Sequence, residues 1–180
     1  MQQTVNGFVG GPNGEMDWMT MAMDDELKNY VMGITDPVDC IIMGRKLAQG
    51  FIPYWAAAAA NPETPGQEFA KKMNDTQKVV FSKTLEKSEW ENTQLAKGDI
   101  VDEVNRLKNQ PGGDIIVYGG AEFVANLIQN GLIDELHLSV NPVAIGSGLT
   151  IFRDRQNLEL VKATSFSCGK VVLLYEPSKK

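Results

Sequence analysis

The stretch Asp114-Ile115-Ile116-Val117-Tyr118-Gly119-Gly120-Ala121 decides how this chain is read. Ile115 to Tyr118 suit a buried strand, a Gly-Gly pair follows, and a helical apolar pattern begins at once with Phe123, Val124, Leu127 and Ile128. A strand therefore delivers its C-terminal end to the start of a helix. The first N–H groups of a helix are unpaired and its dipole is positive there, so an anion binds where side chains stand clear. Two glycines clear them, although a tight strand-to-helix turn needs glycine with no ligand present as well.

The same theme recurs upstream. Val38 to Met43 reads as a buried strand ending at Gly44, and the helix that follows opens with Arg45 and Lys46. Cations in a first helical turn oppose the dipole, so this placement suits an anionic ligand as well as it suits a solvated surface. Lys78 to Phe81 is a third strand, ending at Ser82-Lys83-Thr84. Bare backbone, hydroxyls and cations on successive strand ends of an α/β chain line one edge of the sheet, where open α/β folds bind ligands.

Around these strands, Gly10-Gly11-Pro12-Asn13-Gly14 is a dense turn signal, expected to move freely, leading to Asp17 and Trp18. Asp24-Asp25-Glu26 opens a helix that Asp36-Pro37 closes. Pro53, Pro62 and Pro65 fence an alanine run, read as an exposed loop or single helical turn at about 52–66, or as a flap carrying Tyr54 and Trp55. Gly66 to Asp75 and Asp99 to Asn109 read as helices, Trp90 to Thr93 as a short strand, and Asn130-Gly131 as a helix stop. From Ile133 the period becomes two, with Leu136, Leu138 and Val140 on one face and Glu135, His137 and Ser139 on a solvated one. His137, the only histidine, is expected at the surface or in a subunit contact. Leu158 to Phe166 and Val171 to Tyr175 form a hairpin, so the sheet is mixed.

The 180 residues suffice for one domain spanning 1–180. A net charge of −6 without a basic patch argues against a nucleic-acid surface. No apolar run is long enough for a membrane span and the N-terminus lacks signal-peptide character, so a cytoplasmic protein is expected. Cys40 and Cys168 stand apart and read as reduced, packed thiols, and one histidine builds neither a histidine triad nor a histidine metal cluster.

Several motifs in order resemble one family: Val5 to Met19, Ile42-Met43-Gly44-Arg45-Lys46, Val80 to Leu85, Tyr118-Gly119-Gly120-Ala121, and Gly131 to Gly148. Together they resemble the dihydrofolate-reductase-like superfamily, in the branch of the reductase domain of the bifunctional riboflavin-biosynthesis deaminase/reductase. The resemblance implies an α/β fold of three layers, α/β/α, whose central mixed sheet of about eight strands is antiparallel in its C-terminal part. It implies NADPH across the strand ends, with Gly44, Arg45 and Lys46 at the phosphates and Ser82, Lys83 and Thr84 at the 2′-phosphate. Tyr118, Gly119, Gly120, Ala121 and Glu122 would wrap the pyrophosphate and nicotinamide side. A cation and hydroxyls at that position give a reason to prefer NADPH to NADH.

The chain departs from that branch in two places: Tyr118 stands where an acidic residue commonly precedes the glycines, and Asn6 replaces a carboxylate in the early Ser-x-Asp-Gly motif. Asp17, Trp18 and Asn6 are the substrate-side candidates, Asp17 beside Trp18 foremost, since a carboxylate and an aromatic ring can bond and stack a flat heterocycle. The resemblance implies an NADPH-dependent reductase of a pterin- or aminopyrimidine-type substrate, working as a homodimer. Dihydrofolate reductase and a non-catalytic NADPH-binding protein are the alternatives.

Overall fold

The computed structural model describes residues 1–178. In chain order its elements are β1 (Gln2–Thr4), α1 (Asp25–Thr35), β2 (Val38–Gly44), α2 (Arg45–Ala60), α3 (Gln67–Asp75), β3 (Gln77–Phe81), β4 (Thr93–Ala96), α4 (Ile100–Lys108), β5 (Asp114–Val117), α5 (Ala121–Gln129), β6 (Leu136–Asn141), β7 (Leu158–Ser165) and β8 (Val171–Pro177). The expected strands are present, and they hydrogen-bond as two four-stranded sheets. The chain divides into two compact units, one of Met32–Gly120 and one of Met1–Val31 with the residues from Ala121 onward.

In the Met32–Gly120 unit the sheet order is β4-β3-β2-β5 and every pairing is parallel. Parallel strands covered on both faces read as continuous apolar runs. Cys40, Ile41, Ile42 and Met43 of β2 and Val79 and Val80 of β3 are all buried. Ile41, Met43 and Val80 pack with Ala48 and Ile52 of α2 and Met73 of α3. Lys78 is also buried within β3, at 1% exposure. Its ammonium donates to the carbonyls of Asn74 and Thr76, both at 2.7 Å, and so caps the carbonyl end of α3.

The alanine-rich segment is a correction to the sequence reading. Residues 52–60 are helical, the second half of α2, and Pro53 lies inside the helix. A proline removes one helical hydrogen bond. Packing offsets that cost: Phe51 stacks on Tyr118 at 5.4 Å, and Trp55 meets Phe51 at 6.0 Å and Phe69 at 5.4 Å. The alanines that follow are the strongest helix formers. Only 61–66 remains a connection. The strand placed at Trp90–Thr93 lies further on, at β4, because Leu95 packs against the core and Ala96 is buried.

In the other unit the order is β1-β6-β8-β7, with β1 parallel to β6 and the remaining pairs antiparallel. The hairpin turn closes through Phe166 N–H to Lys170 C=O at 2.9 Å, with Gly169 at φ +88°. Helix α5 ends in a Schellman cap: Leu132 N–H reaches Leu127 C=O, Gly131 N–H reaches Ile128 C=O, and Gly131 takes φ +65°.

The half-solvated face expected of β6 is a second correction. Ser139 and Asn141 are buried alongside Leu136 and Leu138, because β6 is interior to its sheet and Leu27 of α1 packs with Val172 on the neighbouring strand. The glycine-rich loop is a third. Gly10 bridges Leu149, Gly11 N–H donates to Glu15 C=O at 2.8 Å, and a Cβ on Gly11 would fall 2.3 Å from the Glu15 carboxylate. Gly10 to Glu15 is a pinned turn.

Candidate functional site

The C-terminal ends of β2, β3 and β5 lie along one edge of the parallel sheet, since parallel strands in register end on the same side. The sequence motifs Gly44-Arg45-Lys46, Ser82-Lys83-Thr84 and Tyr118-Gly119-Gly120 follow those ends directly. Ala121 and Glu122 open α5 in the other unit, where the Glu122 carboxylate lies 3.7 Å from the Arg153 guanidinium.

Each strand end presents different chemistry. Gly44 is the N-cap of α2 and makes no side-chain cap bond, and the first turn of α2 contains no acidic residue. The leading N–H groups of that helix thus carry no side-chain cap, beside the half-buried Arg45 and the exposed Lys46. Ser82 is buried, and its hydroxyl oxygen accepts from the N–H groups of Thr84 (3.2 Å) and Leu85 (3.0 Å). With its oxygen occupied, the Ser82 O–H is left to donate, and its nearest hydroxyl is Thr84 at 3.5 Å. Lys83 and Thr84 stand exposed on the turn that Ser82 holds.

The two glycines have different reasons to be glycine. Gly119 takes φ +148°, a conformation that penalises any side chain, so the backbone alone requires it. The Gly119–Gly120 peptide is cis. At Gly120 a Cβ would meet no atom within 4 Å, so no steric contact inside the chain asks for glycine there. A backbone left bare without an internal cause is what close approach by a ligand requires.

Tyr118 faces elsewhere. Its ring stacks on Phe51, and its hydroxyl is buried without a partner, which pushes the phenol up to about 12 through desolvation. What Tyr118 presents at the edge is its backbone. At the opposite edge, Asp39, Cys40, Gln77, Gly112 and Gly113 line a cavity of about 150 Å³, too small for a dinucleotide. Burial and the nearby Asp39 charge push the Cys40 thiol up to about 11, in keeping with a packed, protonated thiol.

Of the residues the sequence reading assigned to the substrate, the Trp18 indole N–H donates to Glu15 C=O at 3.0 Å, while Asp17 is exposed. Asn6 is occupied structurally: its amide donates to Ile145 C=O at 2.6 Å and its oxygen accepts from Thr4 Oγ1 at 2.9 Å. His137, expected at the surface or in a subunit contact, is half-buried and links α1 to β6. The Glu135 carboxylate, 3.0 Å from Nε2, fixes a proton there, so Nδ1 accepts from the Tyr30 hydroxyl at 2.7 Å.

Sequence reading overlooked Lys97, which follows β4 directly. Its ammonium donates to Glu86 C=O at 3.0 Å, across the turn that carries Lys83 and Thr84. A cation directly after a strand was the available signal, hidden because β4 was placed too early. Among the described residues, no group of acidic, histidine or cysteine side chains could hold a metal, and no helix is long and apolar enough to cross a membrane.

These features define an α/β protein whose parallel sheet carries glycine, hydroxyl and cationic residues along one edge. The chain belongs to the RibD C-terminal domain family, which it matches over residues 1–174. It is 38% identical over 181 residues to "Uncharacterized protein YyaP" of Bacillus subtilis (strain 168), covering 96% of this chain and 89% of that protein. Its fold is similar to that of a Shewanella sp. PV-4 protein described as a "Putative riboflavin biosynthesis protein", with a TM-score of 0.75, 17% identity, and coverage of 99% of this chain and 97% of the other. It is also similar to the diaminohydroxyphosphoribosylaminopyrimidine deaminase/5-amino-6-(5-phosphoribosylamino)uracil reductase of Thermotoga maritima, with a TM-score of 0.68 and 16% identity. That match covers 98% of this chain and 55% of the Thermotoga protein.

Proposed function

We propose that this protein is an NADPH-dependent reductase of a small pterin- or aminopyrimidine-type heterocycle. The observation that carries the reading is Gly120, whose bare backbone has no steric cause within the chain. It stands on the same sheet edge as Arg45, Lys46 and the Ser82 turn, and that donor set suits a phosphorylated dinucleotide. Membership of the RibD C-terminal domain family supports the same reading.

When bound, NADPH supplies the hydride. The chain's own contribution is binding and orientation. Gly44 and the first N–H groups of α2 would meet phosphate oxygens, with Arg45 and Lys46 balancing their charge. Lys83, Thr84 and the Ser82 hydroxyl would meet the 2′-phosphate. Gly119 and Gly120 let the backbone come close where a side chain would hold the ligand away. Asp17, exposed beside Trp18, is assigned the substrate side, to hydrogen-bond a heterocycle that the indole stacks. Asn6, bonded to Ile145 and Thr4, is assigned the structural task of holding the loop after β6. The chain works as a cytoplasmic homodimer in this reading.

Substrate-dependent oxidation of NADPH, followed at 5-amino-6-(5-phosphoribosylamino)uracil and at dihydrofolate, tests the proposal. Turnover of the aminopyrimidine supports it. Turnover of dihydrofolate alone reassigns the substrate, and NADPH binding without turnover of either reduces the protein to a dinucleotide-binding module.

A further inference from the structure

One face of the mixed sheet carries three buried polar side chains whose hydrogen-bonding capacity the chain does not fill. Alternation along β6 puts His137, Ser139 and Asn141 on that face, and α1 covers it: Tyr30 bonds His137 at 2.7 Å, and Leu27 packs with Val172, the β8 partner of Ser139. Ser139 is 8% exposed and Asn141 0%. The Asn141 amide nitrogen donates to Gln2, Gln3 and Ser139, but its oxygen and the Ser139 hydroxyl are buried without a partner. Val140 pairs with Val171, so the next residues, Asn141 and Lys170, stand opposite each other on the same face. The register holds one step further, since a Cβ on Gly169 would lie 3.6 Å from Pro142. Lys170 is 3% exposed, and among the described residues no hydrogen bond or ion pair engages its ammonium.

A buried polar atom without a partner costs stability, and a buried ammonium costs more, so three on one face call for an occupant that pairs with them. The chemistry of the three restricts what that occupant is. Asn141 offers an acceptor, Lys170 offers donors and a charge, and the Ser139 hydroxyl serves either way. A simple anion would suit Lys170 and be repelled by the Asn141 oxygen, and a simple cation would do the reverse. A neutral group with an N–H beside a C=O suits both. We propose that Ser139, Asn141 and Lys170 form a recognition site for the lactam edge of a flat heterocycle, whose ring N–H donates to the Asn141 oxygen and whose carbonyl accepts from Lys170. This inference deepens the heterocycle reductase reading and rests on it for the identity of the ligand. It divides the candidate heterocycles: pyrimidinones and pterins carry such an edge, and diaminopyrimidines without a ring carbonyl do not.

The test titrates the full chain with 5,6-diaminouracil and with 4,5-diaminopyrimidine, which keeps the two amines and lacks the lactam, in wild type, Lys170→Met and Ser139→Ala. Wild type is expected to bind the uracil about tenfold more tightly than the pyrimidine. Lys170→Met should weaken the uracil about tenfold and Ser139→Ala about fivefold, with the pyrimidine changed by less than about twofold. Thermal unfolding separates recognition from structure: deleting an unpartnered buried group leaves the midpoint of either variant at or above wild type. A midpoint that falls in both variants makes these residues structural and overturns the inference. So does a uracil that fails to bind, binds no better than the pyrimidine, or binds both variants as it binds wild type, since ordered water is then the only occupant. NADPH titration and turnover keep the two readings apart. Any of these failures in a chain that binds NADPH and reduces an aminopyrimidine removes the lactam site alone, whereas selective uracil binding without NADPH binding or turnover supports the site and removes the reductase reading.

Discussion

The two sheets of this molecule have the same number of strands and divide its labour differently. In the parallel sheet, β2 and β3 are buried on both faces, so only the strand ends meet solvent, and those ends carry glycine, hydroxyl and cationic residues. In the mixed sheet, β7 is an exposed edge with Leu160 and Val161 more than half accessible, while interior β6 buries Ser139 and Asn141. A sheet with apolar faces concentrates its chemistry at an edge. On the covered face of the mixed sheet the Asn141 amide donates to Gln2, Gln3 and Ser139, while its own oxygen and the Ser139 hydroxyl are buried without a partner.

The largest expected effect separates core from edge. Ile41→Ala, at a fully buried position of β2, is expected to cost about 2–5 kcal/mol in denaturant unfolding. A loss below about 1 kcal/mol would mean that the parallel sheet is less tightly packed than its burial indicates. Next, Gly120→Val should weaken NADPH by at least about a hundredfold and leave the unfolding midpoint unchanged, because its Cβ meets no atom of the chain. Gly119→Ala, at φ +148°, should lower stability as well as binding, so the pair distinguishes a ligand's demand from the backbone's.

Lys83→Ala is expected to weaken NADPH about tenfold and NADH little, read by titration of both nucleotides. Equal losses would remove Lys83 from the 2′-phosphate.

In the other unit, Asp24 accepts from the Leu27 N–H, the Ser167 hydroxyl and the Cys168 N–H, and these bonds, led by that to Leu27, hold its carboxyl at about 2. A depressed folded pKa contributes stability above the ordinary carboxylate range near 4, and that contribution is lost as pH falls toward 2. Asp24→Asn should therefore flatten the acid limb of the stability profile between those values and leave its neutral limb parallel to wild type. The smallest effect is expected at Leu160→Ala, within about 0.5 kcal/mol at concentrations where the chain is monomeric.

What could be read from the sequence follows the same division. The apolar run Cys40 to Met43 reads as a doubly covered strand and is buried throughout, whereas Ile115 to Val117, expected to be buried, form the outer strand of their sheet and are half-buried; the punctuation after each run marks the candidate edge. Residues 52–60 misled because Pro53 is a local signal against helix, whereas the stacking of Phe51 and Trp55 on rings distant in sequence is invisible locally. Ser139 misled because alternation reports polarity, and a polar face is solvated only if nothing covers it. Lys78 was read as an ordinary strand residue, since nothing in the local sequence says that the carbonyls ending α3 will meet its ammonium.

The central claim is that the strand-end edge of the parallel sheet is a phosphorylated-dinucleotide site, and calorimetric titration of the purified protein with NADPH and then NADH tests it most directly. The account predicts one NADPH per chain, bound about tenfold or more tighter than NADH. No heat with either nucleotide, or equal affinity for both, would contradict it.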